Sequence, residues 1–207
     1  MSTQFHKDVS IKAGKVIVKG DLFIPANAKA IIIFSHGSGS SRFSKRNQSV
    51  AQYLYQKNFG TLLFDLLTEE EDKDFYNRFN IDLLAKRLVD ATEWLRKLVA
   101  AKGCRIGYFG ASTGAASALQ AAAQLSKIGA VVSRGGRPDL AMDYLEKVEA
   151  PTLLIVGGLD TEVIALNKQA FKKLHCLKDL TIVEGATHLF EEEGMMDKVE
   201  ELAAAWF

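Results

Sequence analysis

Ser112 is the residue of this sequence whose surroundings most clearly suggest covalent chemistry. It is the central residue of a G-x-S-x-G pentapeptide formed by residues 110–114. The apolar and aromatic residues 105–109 favour a central strand, and the alanine-rich residues 115–124 favour a tightly packed helix. A serine at such a corner lies on a strained turn, with its hydroxyl above the sheet and a helix N-terminus beneath it. The pattern therefore predicts a nucleophilic serine.

The elements that would position this serine can be predicted from hydrophobic patterning. Residues 7–24 alternate and predict an antiparallel hairpin that turns at Gly14-Lys15. Helices are predicted at Ser44–Lys57 and at Ile81–Ala101, the second capped by Gly103. Continuous apolar strands are predicted at Ala30–Ser35, Thr61–Leu66, Arg105–Phe109, Ala130–Ser133, Thr152–Val156 and Leu180–Val183, with a helical stretch after each of the last four. This alternation predicts an α/β fold with a mostly parallel sheet of about eight strands covered by helices on both faces.

Ligands bind at the carboxyl ends of the strands in such sheets, and this rule sorts the four histidines. His188 comes shortly after the last predicted strand, so it is presented at the same edge as Ser112 and is the predicted general base. His36 also follows a strand directly, and we expect it to brace its loop. His6 is expected to be an exposed polar residue near the N-terminus, and His175 belongs to the opposite edge of the sheet.

The same rule selects the acid. Only Asp139 and Asp160 follow strands among the aspartates beyond Ser112. Asp160 ends a Gly-Gly-Leu-Asp turn, where a carboxylate could either cap the next helix or orient a catalytic histidine. We predict that Asp160 is the catalytic acid and keep Asp139 in reserve. The chain order Ser112, Asp160, His188 is the order expected of an α/β-hydrolase.

A third component is the turn His-Gly-Ser-Gly-Ser-Ser-Arg that follows the first parallel strand. Its small residues would let backbone N–H groups approach a substrate oxygen, so Ser38 and Thr113 are predicted to donate the N–H groups of an oxyanion hole. Gly37 and Gly39 also form a G-x-G pattern, which would suit a dinucleotide. That fingerprint requires a third glycine where Arg42 stands, and the chain lacks a G-K-[ST] phosphate loop. The sequence therefore favours the oxyanion hole over a phosphate-binding loop.

Three arginines should lie near the catalytic edge, namely Arg42, Arg134 and Arg137. One interpretation is that they are solvated loop residues, some of them paired with the acidic stretch Glu69–Asp72. The other is that at least one of them receives a carboxylate or phosphate on the substrate, because the guanidinium fork matches both groups. Both interpretations stay open at this point.

Composition limits the classes of function. A chain of 207 residues that is 48% hydrophobic and 25% charged predicts a single globular domain over residues 1–207. A net charge of +1 without a basic stripe gives no reason to expect nucleic acid. No apolar run suits a signal peptide or a membrane span, and Cys104 and Cys176 suggest no disulfide framework, so a cytoplasmic protein is expected.

These motifs together resemble a known family. The segments HGSGSSR, FDLLT, GASTG, SRGGRPDLA, IVGGLD and GATH resemble a small α/β-hydrolase of the dienelactone-hydrolase-like branch, over nearly the whole chain. The chain is also similar to hydrolase domains that are joined to phosphoribosyltransferase domains in some bacteria. The resemblance implies Ser112 as nucleophile, Asp160 as acid and His188 as base. Dienelactone hydrolases proper use a cysteine nucleophile, so the resemblance indicates the reaction class rather than the substrate.

The sequence therefore predicts a serine hydrolase that cleaves an ester, thioester or lactone of a small molecule through an acyl-enzyme on Ser112. No metal or organic cofactor is expected, because no H-x-x-x-H or C-x-x-C ligand spacing occurs. The segments between strands are about as long as one crossover helix needs, so no large cap is expected. The alternative is a non-catalytic binding or regulatory module on the same fold.

Overall fold

A single sheet organises residues 5–207, the part of the chain described by the computed structural model. Its strands are β1 (Phe5–Ala13), β2 (Val16–Ile24), β3 (Ala30–Ser35), β4 (Gly60–Phe64), β5 (Arg105–Ala111), β6 (Ile128–Arg134), β7 (Thr152–Gly157) and β8 (Lys178–Val183). Their order in the sheet is β1-β2-β4-β3-β5-β6-β7-β8. β2 is antiparallel to β1 and β4, whereas the pairs from β4 through β8 are parallel.

The predicted N-terminal hairpin is confirmed. Ala13 pairs with Val16 across a tight turn, and Gly14 in that turn has a φ of +64°, a conformation that glycine adopts without strain. The hairpin lies at one edge of the sheet, with β2 joining it to β4.

Helices cover both faces of the sheet, as the alternation of strands and helices predicts. They are α1 (Lys45–Gln56), α2 (Glu69–Asp72), α3 (Ile81–Arg96), α4 (Thr113–Gln124), α5 (Thr161–Lys173) and α6 (Met195–Trp206). Leu54 of α1 and Ala203 of α6 belong to the apolar core on one face. Leu88 of α3, Leu119 of α4 and Ala170 of α5 belong to the core on the other. The predicted α/β class is confirmed, and residues 5–207 contain no large cap.

Two predicted helical segments differ from the structure. The helix predicted over Ile81–Ala101 ends at Arg96, because Leu98 is extended (ψ 127°) and cannot continue it; a separate 3₁₀ turn follows at Val99–Ala101. Gly103 has the positive φ of a cap (+88°), but it follows this 3₁₀ turn.

The segment after β6, which was predicted to be helical, contains only short helical turns. Within the described chain it contains the 3₁₀ turns Pro138–Ala141 and Leu145–Lys147 and no α-helix. Arg137 precedes a proline, which disfavours helical backbone, and its φ of −106° and ψ of 63° lie outside the α region.

The sheet order brings the loops that follow β3, β5 and β6 side by side, with those after β7 and β8 next to them. All of these loops leave the carboxyl ends of parallel strands, where ligands bind in open α/β sheets. Among residues 5–207, no helix combines the length and the apolar character needed to cross a bilayer.

Candidate active site

Ser112 occupies the sharp corner between β5 and α4. Its φ of +52° and ψ of −122° are a conformation that L-residues rarely adopt. Its N–H donates to the Arg134 carbonyl oxygen (3.2 Å), and its own carbonyl accepts from the N–H groups of Ala115 (3.0 Å) and Arg137 (3.1 Å). The backbone of the serine is therefore held from both sides.

The two glycines of the pentapeptide make this corner possible. A Cβ on Gly110 would lie 2.5 Å from the Cα of Ala115, and a Cβ on Gly114 would overlap the carbonyl oxygen of Ser35. Only glycine allows β3, β5 and α4 to approach so closely here, which explains the residue types on either side of Ser112.

Asp160 and His188 form a hydrogen-bonded pair at the same edge. The distance from His188 Nδ1 to Asp160 Oδ2 is 2.6 Å. Asp160 immediately precedes α5, yet its side chain makes no capping bond to that helix. Asp139, the reserve acid, instead accepts two bonds from the Arg137 guanidinium, each 2.8 Å long. The structure thus joins the predicted base to Asp160 and engages Asp139 elsewhere.

Small residues bring the His188 loop close to the neighbouring strands. A Cβ on Gly157, at the end of β7, would lie 2.5 Å from the carbonyl oxygen of Ala186. Gly135 follows β6 with a φ of +52°, and a Cβ there would come within 3.5 Å of the His188 ring. The loop after β8 can therefore cross over the ends of β6 and β7, which places His188 at the same edge of the sheet as Ser112.

Ser112 and His188 line one cavity of about 180 Å³. The other residues lining it are Gly37, Ser38, Ser40, Ser44, Arg46, Asn47, Ala111, Arg134 and Leu189. No hydrogen bond joins the Ser112 hydroxyl to the His188 ring within the described chain; such bonds are often long without substrate and tighten when it binds. A larger cavity, of about 870 Å³, lies at the opposite edge beside Ala30 and Arg105, where the strands begin. It contains neither Ser112 nor His188, so the smaller cavity is the candidate site.

The loop after β3 is tied directly to the serine corner. The Ser38 N–H donates to the Thr113 Oγ1 over 2.8 Å, and Thr113 is almost fully buried. The N–H predicted to stabilise an oxyanion therefore lies beside the corner but is engaged by a side chain in this structure. A substrate oxygen would share or replace that acceptor.

His36 braces the same loop against the end of β4. Its Nε2 accepts the Leu66 N–H (3.1 Å), so the ring proton is on Nδ1, which donates to the Gly37 carbonyl (3.0 Å). Burial lowers the pKa of His36 and keeps the ring neutral, although Asp65 and Asp72 oppose this shift. These contacts agree with the predicted bracing role.

The three predicted arginines have different surroundings. Arg42 is paired with Asp65, and Arg137 is paired with Asp139, and neither lines the cavity beside Ser112. Arg134 does line it.

Sequence reasoning missed Arg46, which also lines the cavity from the first turn of α1. Arg46 lies within a helix, whereas the predicted site residues lie in the segments that follow strands. The signal available for Arg46 was its position at the start of the helix that follows the oxyanion turn.

No group of three or more His, Cys, Asp or Glu side chains within residues 5–207 is arranged to hold a metal ion. A serine on a left-handed corner after a central parallel strand, beside a histidine–aspartate pair, is the arrangement of the α/β-hydrolase class. The sequence model of the dienelactone hydrolase family matches residues 18–206, and the chain belongs to that family.

Similar proteins agree with this assignment. A dienelactone hydrolase from Anabaena variabilis ATCC 29413 is 51% identical, with a TM-score of 0.95 over 99% of this chain and 97% of that one. Est1E from Butyrivibrio proteoclasticus shares the fold alone, at 16% identity and a TM-score of 0.81 over 96% of each chain.

Two relatives from Mycobacterium tuberculosis, strains CDC 1551 / Oshkosh and H37Rv, are provisionally named phosphoribosyl transferases. Each is 52% identical over 202 residues, or 97% of this chain. The chain spans 46% of the length of these curated relatives.

Proposed function

We propose that the protein is a serine hydrolase that cleaves a small carboxylic ester, thioester or lactone through an acyl-enzyme on Ser112. The observation that carries this proposal is the strained serine corner facing the same cavity as the His188–Asp160 pair. Backbone strain of this kind costs about 1–3 kcal/mol and is typical of functional positions. Membership of a hydrolase family supports the same reaction class.

The first half of the reaction forms the acyl-enzyme. His188 Nε2 takes the Ser112 hydroxyl proton while Oγ attacks the substrate carbonyl carbon. Asp160 accepts the hydrogen bond from Nδ1, which holds the proton on that nitrogen and leaves Nε2 free as the base. The imidazolium that forms is stabilised by the same carboxylate.

The acyl-enzyme forms when the tetrahedral intermediate collapses. The N–H groups of Thr113 and Ser38 hold its negative oxygen, and His188 gives its proton to the departing alcohol, thiol or lactone oxygen as the bond to the acyl carbon breaks, which completes the first half. His188 then takes a proton from water, the hydroxide adds to the acyl carbon, and Ser112 leaves with the proton restored. An ester or thioester gives an acid and an alcohol or thiol, whereas a lactone gives a single hydroxy acid.

The competing proposal is a binding or regulatory module that uses the fold without catalysis. The name phosphoribosyl transferase belongs to relatives of which this chain matches less than half, and we do not transfer that activity to it. A small-molecule substrate and a cytoplasmic location stay predictions.

A fluorophosphonate probe tests the proposal directly, because it reacts with an activated serine. Intact-mass spectrometry should show one adduct on the wild-type protein and none on Ser112→Ala. In an ester assay, Ser112→Ala should lower kcat by about a millionfold if the chemical step limits the rate. Equal labelling of both proteins would exclude Ser112 as the nucleophile. A failure of the wild-type protein to label at all would favour the binding-module alternative.

A further inference from the structure

A second cavity lies away from Ser112, at the edge of the sheet where the parallel strands begin. Its volume is about 870 Å³, within the range of roughly 300–1,000 Å³ that is usual for small-molecule sites. It is lined by the segments that lead into β3, β4 and β5 and by the rings of Phe59 and Phe207. The proposed hydrolysis uses none of these residues, so the cavity needs an explanation of its own.

The cavity is lined by cationic side chains, namely Lys29, Lys57, Lys102 and Arg105. Within residues 5–207, no acidic side chain lines it and none of the four cations forms an ion pair. Lys57 contacts the Tyr53 ring at 5.3 Å, which brings no opposing full charge. The carboxylate of Phe207, the last residue of the sequence, is paired with none of them. A concave surface lined by charge of one sign attracts ions of the opposite sign.

A comparison of the arginines shows that Arg105 is unusual. Six of the eight arginines are paired with a carboxylate. In the part of the chain that the structure describes, the other two are Arg134, which lines the cavity of Ser112, and Arg105. The guanidinium of Arg105 is therefore available to an anion from outside the chain.

A cavity near the end of β4 shows that this one-sided charge is not general in the molecule. Its volume is about 580 Å³. It is lined by charges of both signs, those of Lys19, Arg42, Asp65, Glu69, Glu70 and Asp72. Positive and negative groups compensate each other there, as they do not at the strand starts.

The sheet register brings the four cations together. Arg105 of β5 pairs with Ala30 of β3, and its N–H donates to the carbonyl of the preceding Lys29 over 2.9 Å. Lys102 ends the 3₁₀ turn before β5, and Lys57 ends α1 shortly before β4. Because β4, β3 and β5 are neighbours in the sheet, the segments that enter them lie side by side. The positive charges therefore converge on one concave surface.

We propose that this cavity binds a small anion with several phosphate groups, either a nucleoside triphosphate or a short inorganic polyphosphate. Ammonium groups bind phosphate as point charges and a guanidinium binds two of its oxygens at once, so the four cations match a multiply charged ligand. The rings of Phe59 and Phe207, with centroids 6.2 Å apart, would give a nucleobase an aromatic surface. The site lies at the opposite edge from Ser112 and does not rest on the proposed hydrolase function.

Isothermal titration calorimetry tests the site with tripolyphosphate, ATP and adenosine in a buffer without magnesium. We expect the two phosphate ligands to bind and adenosine not to bind, because charge supplies most of the affinity. Both affinities should fall as the sodium chloride concentration rises, since salt screens exposed charges. Failure of both phosphate ligands to bind, or equal binding of adenosine and ATP, would overturn the proposal.

A triple variant locates the bound anion. Lys29→Gln/Lys102→Gln/Arg105→Gln removes three of the four cations and should weaken the binding of tripolyphosphate by about 10- to 100-fold, because each exposed charge contributes about 2- to 5-fold. Far-ultraviolet circular dichroism checks that the variant is folded. An unchanged dissociation constant would mean that the anion binds elsewhere, contrary to the proposal.

Two control variants separate this site from net charge and from the cavity of Ser112. Lys147→Gln/Lys168→Gln/Lys172→Gln removes the same charge from exposed lysines that line neither cavity, and it should bind tripolyphosphate as the wild-type protein does. Arg134→Gln should also bind normally. Equal weakening in both triple variants, or a loss of binding in Arg134→Gln, would contradict the assigned site.

Phe59→Leu distinguishes the two sources of phosphate. If the ligand is a nucleotide, ATP should bind about 5-fold tighter than tripolyphosphate or better, and Phe59→Leu should remove that advantage while it leaves tripolyphosphate binding unchanged. If ATP has no advantage and Phe59→Leu changes neither affinity, the site belongs to an inorganic polyphosphate. Loss of tripolyphosphate binding in Phe59→Leu would show that the cations alone do not hold the phosphates and would overturn the proposal.

Discussion

Asp160 illustrates how a single residue can serve one of two partners. A carboxylate immediately before a helix normally accepts hydrogen bonds from that helix. Here the Asp160 side chain is directed to His188 instead, and α5 begins without a side-chain cap. The helix gives up one stabilising contact so that the imidazole is oriented.

This arrangement predicts a large difference between two aspartate variants. Asp160→Asn should lower kcat by about ten-thousandfold, because an amide at that position favours the wrong imidazole tautomer. Asp139→Asn should have a mild effect, since Asp139 is paired with Arg137. Steady-state kinetics on both proteins provide the measurement. The reverse ranking would mean that Asp139 acts as the acid.

The backbone of Ser38 carries a second residue-scale prediction. Ser38→Pro removes the N–H and should lower kcat by about 10²- to 10³-fold, the usual cost of one oxyanion donor. Ser38→Ala keeps the N–H and should retain most of the activity. Near-ultraviolet circular dichroism of both variants checks that the loop still packs. A severe loss in Ser38→Ala would assign the role to the side chain.

The sequence predicts side chains that directly follow strands, since strand ends are visible as the ends of apolar runs. That rule is sufficient to select Asp160 and His188 as partners for Ser112, which the G-x-S-x-G pentapeptide predicts, and the structure brings all three to one edge. It does not reveal the contact between Ser38 and Thr113, which joins the loop after β3 to the first residue of α4, 75 residues further along the chain, and has no periodic signature. It also misses Arg46, because that residue lies in the first turn of α1 and the rule covers only the segments that directly follow strands.

At the scale of elements, His36 connects two neighbouring strand ends. It receives the Leu66 N–H just after β4 while it holds the turn that follows β3. Both bonds require the neutral ring with its proton on Nδ1. The shape of the loop that contains Ser38 therefore depends on the protonation of a residue outside the proposed triad of Ser112, His188 and Asp160.

The pH dependence of stability tests this connection. The folded-state pKa of His36 lies below its ordinary value of 6.5, so its contribution is fully present above that value and is lost as the pH falls. The free energy of unfolding, from urea titrations, should decline between about pH 7 and about pH 5. His36→Gln offers an acceptor that cannot be protonated in this range and should flatten the decline. An identical slope in both proteins would show that His36 does not contribute.

Element boundaries were harder to predict than element types. The apolar pattern of α3 continues past its end, yet the backbone becomes extended at Leu98 and the helix stops at Arg96. Hydrophobic spacing records which residues are buried, and a buried residue can belong to a helix or to the 3₁₀ turn that follows it. Patterning alone therefore overestimates the length of such a helix.

At the scale of the whole molecule, the sheet separates two apolar cores. Successive residues of β3 alternate between them, with Ile31 and Ile33 in one core and Ile32 and Phe34 in the other. Trp94 packs against the first core and Trp206 against the second. The chain has two tryptophans, so each core has its own fluorescent reporter.

The single-domain organisation predicted for residues 1–207 can be tested with these reporters. Trp94→Phe leaves the signal of one core and Trp206→Phe that of the other. If one sheet supports both cores, each variant should give a fluorescence transition in urea that coincides with its own far-ultraviolet circular dichroism transition. Separated transitions in either variant would show that the two cores unfold independently.

The conformation of Ser112 has a consequence for how the protein tolerates change. Glycine would occupy the corner after β5 without penalty, whereas serine must be forced into it by the surrounding hydrogen bonds. A chain selected for folding alone would gain by replacing this serine. Folding and chemistry therefore favour different residues at position 112, and a copy released from its function would have an easy route to lose the hydroxyl while keeping the sheet intact.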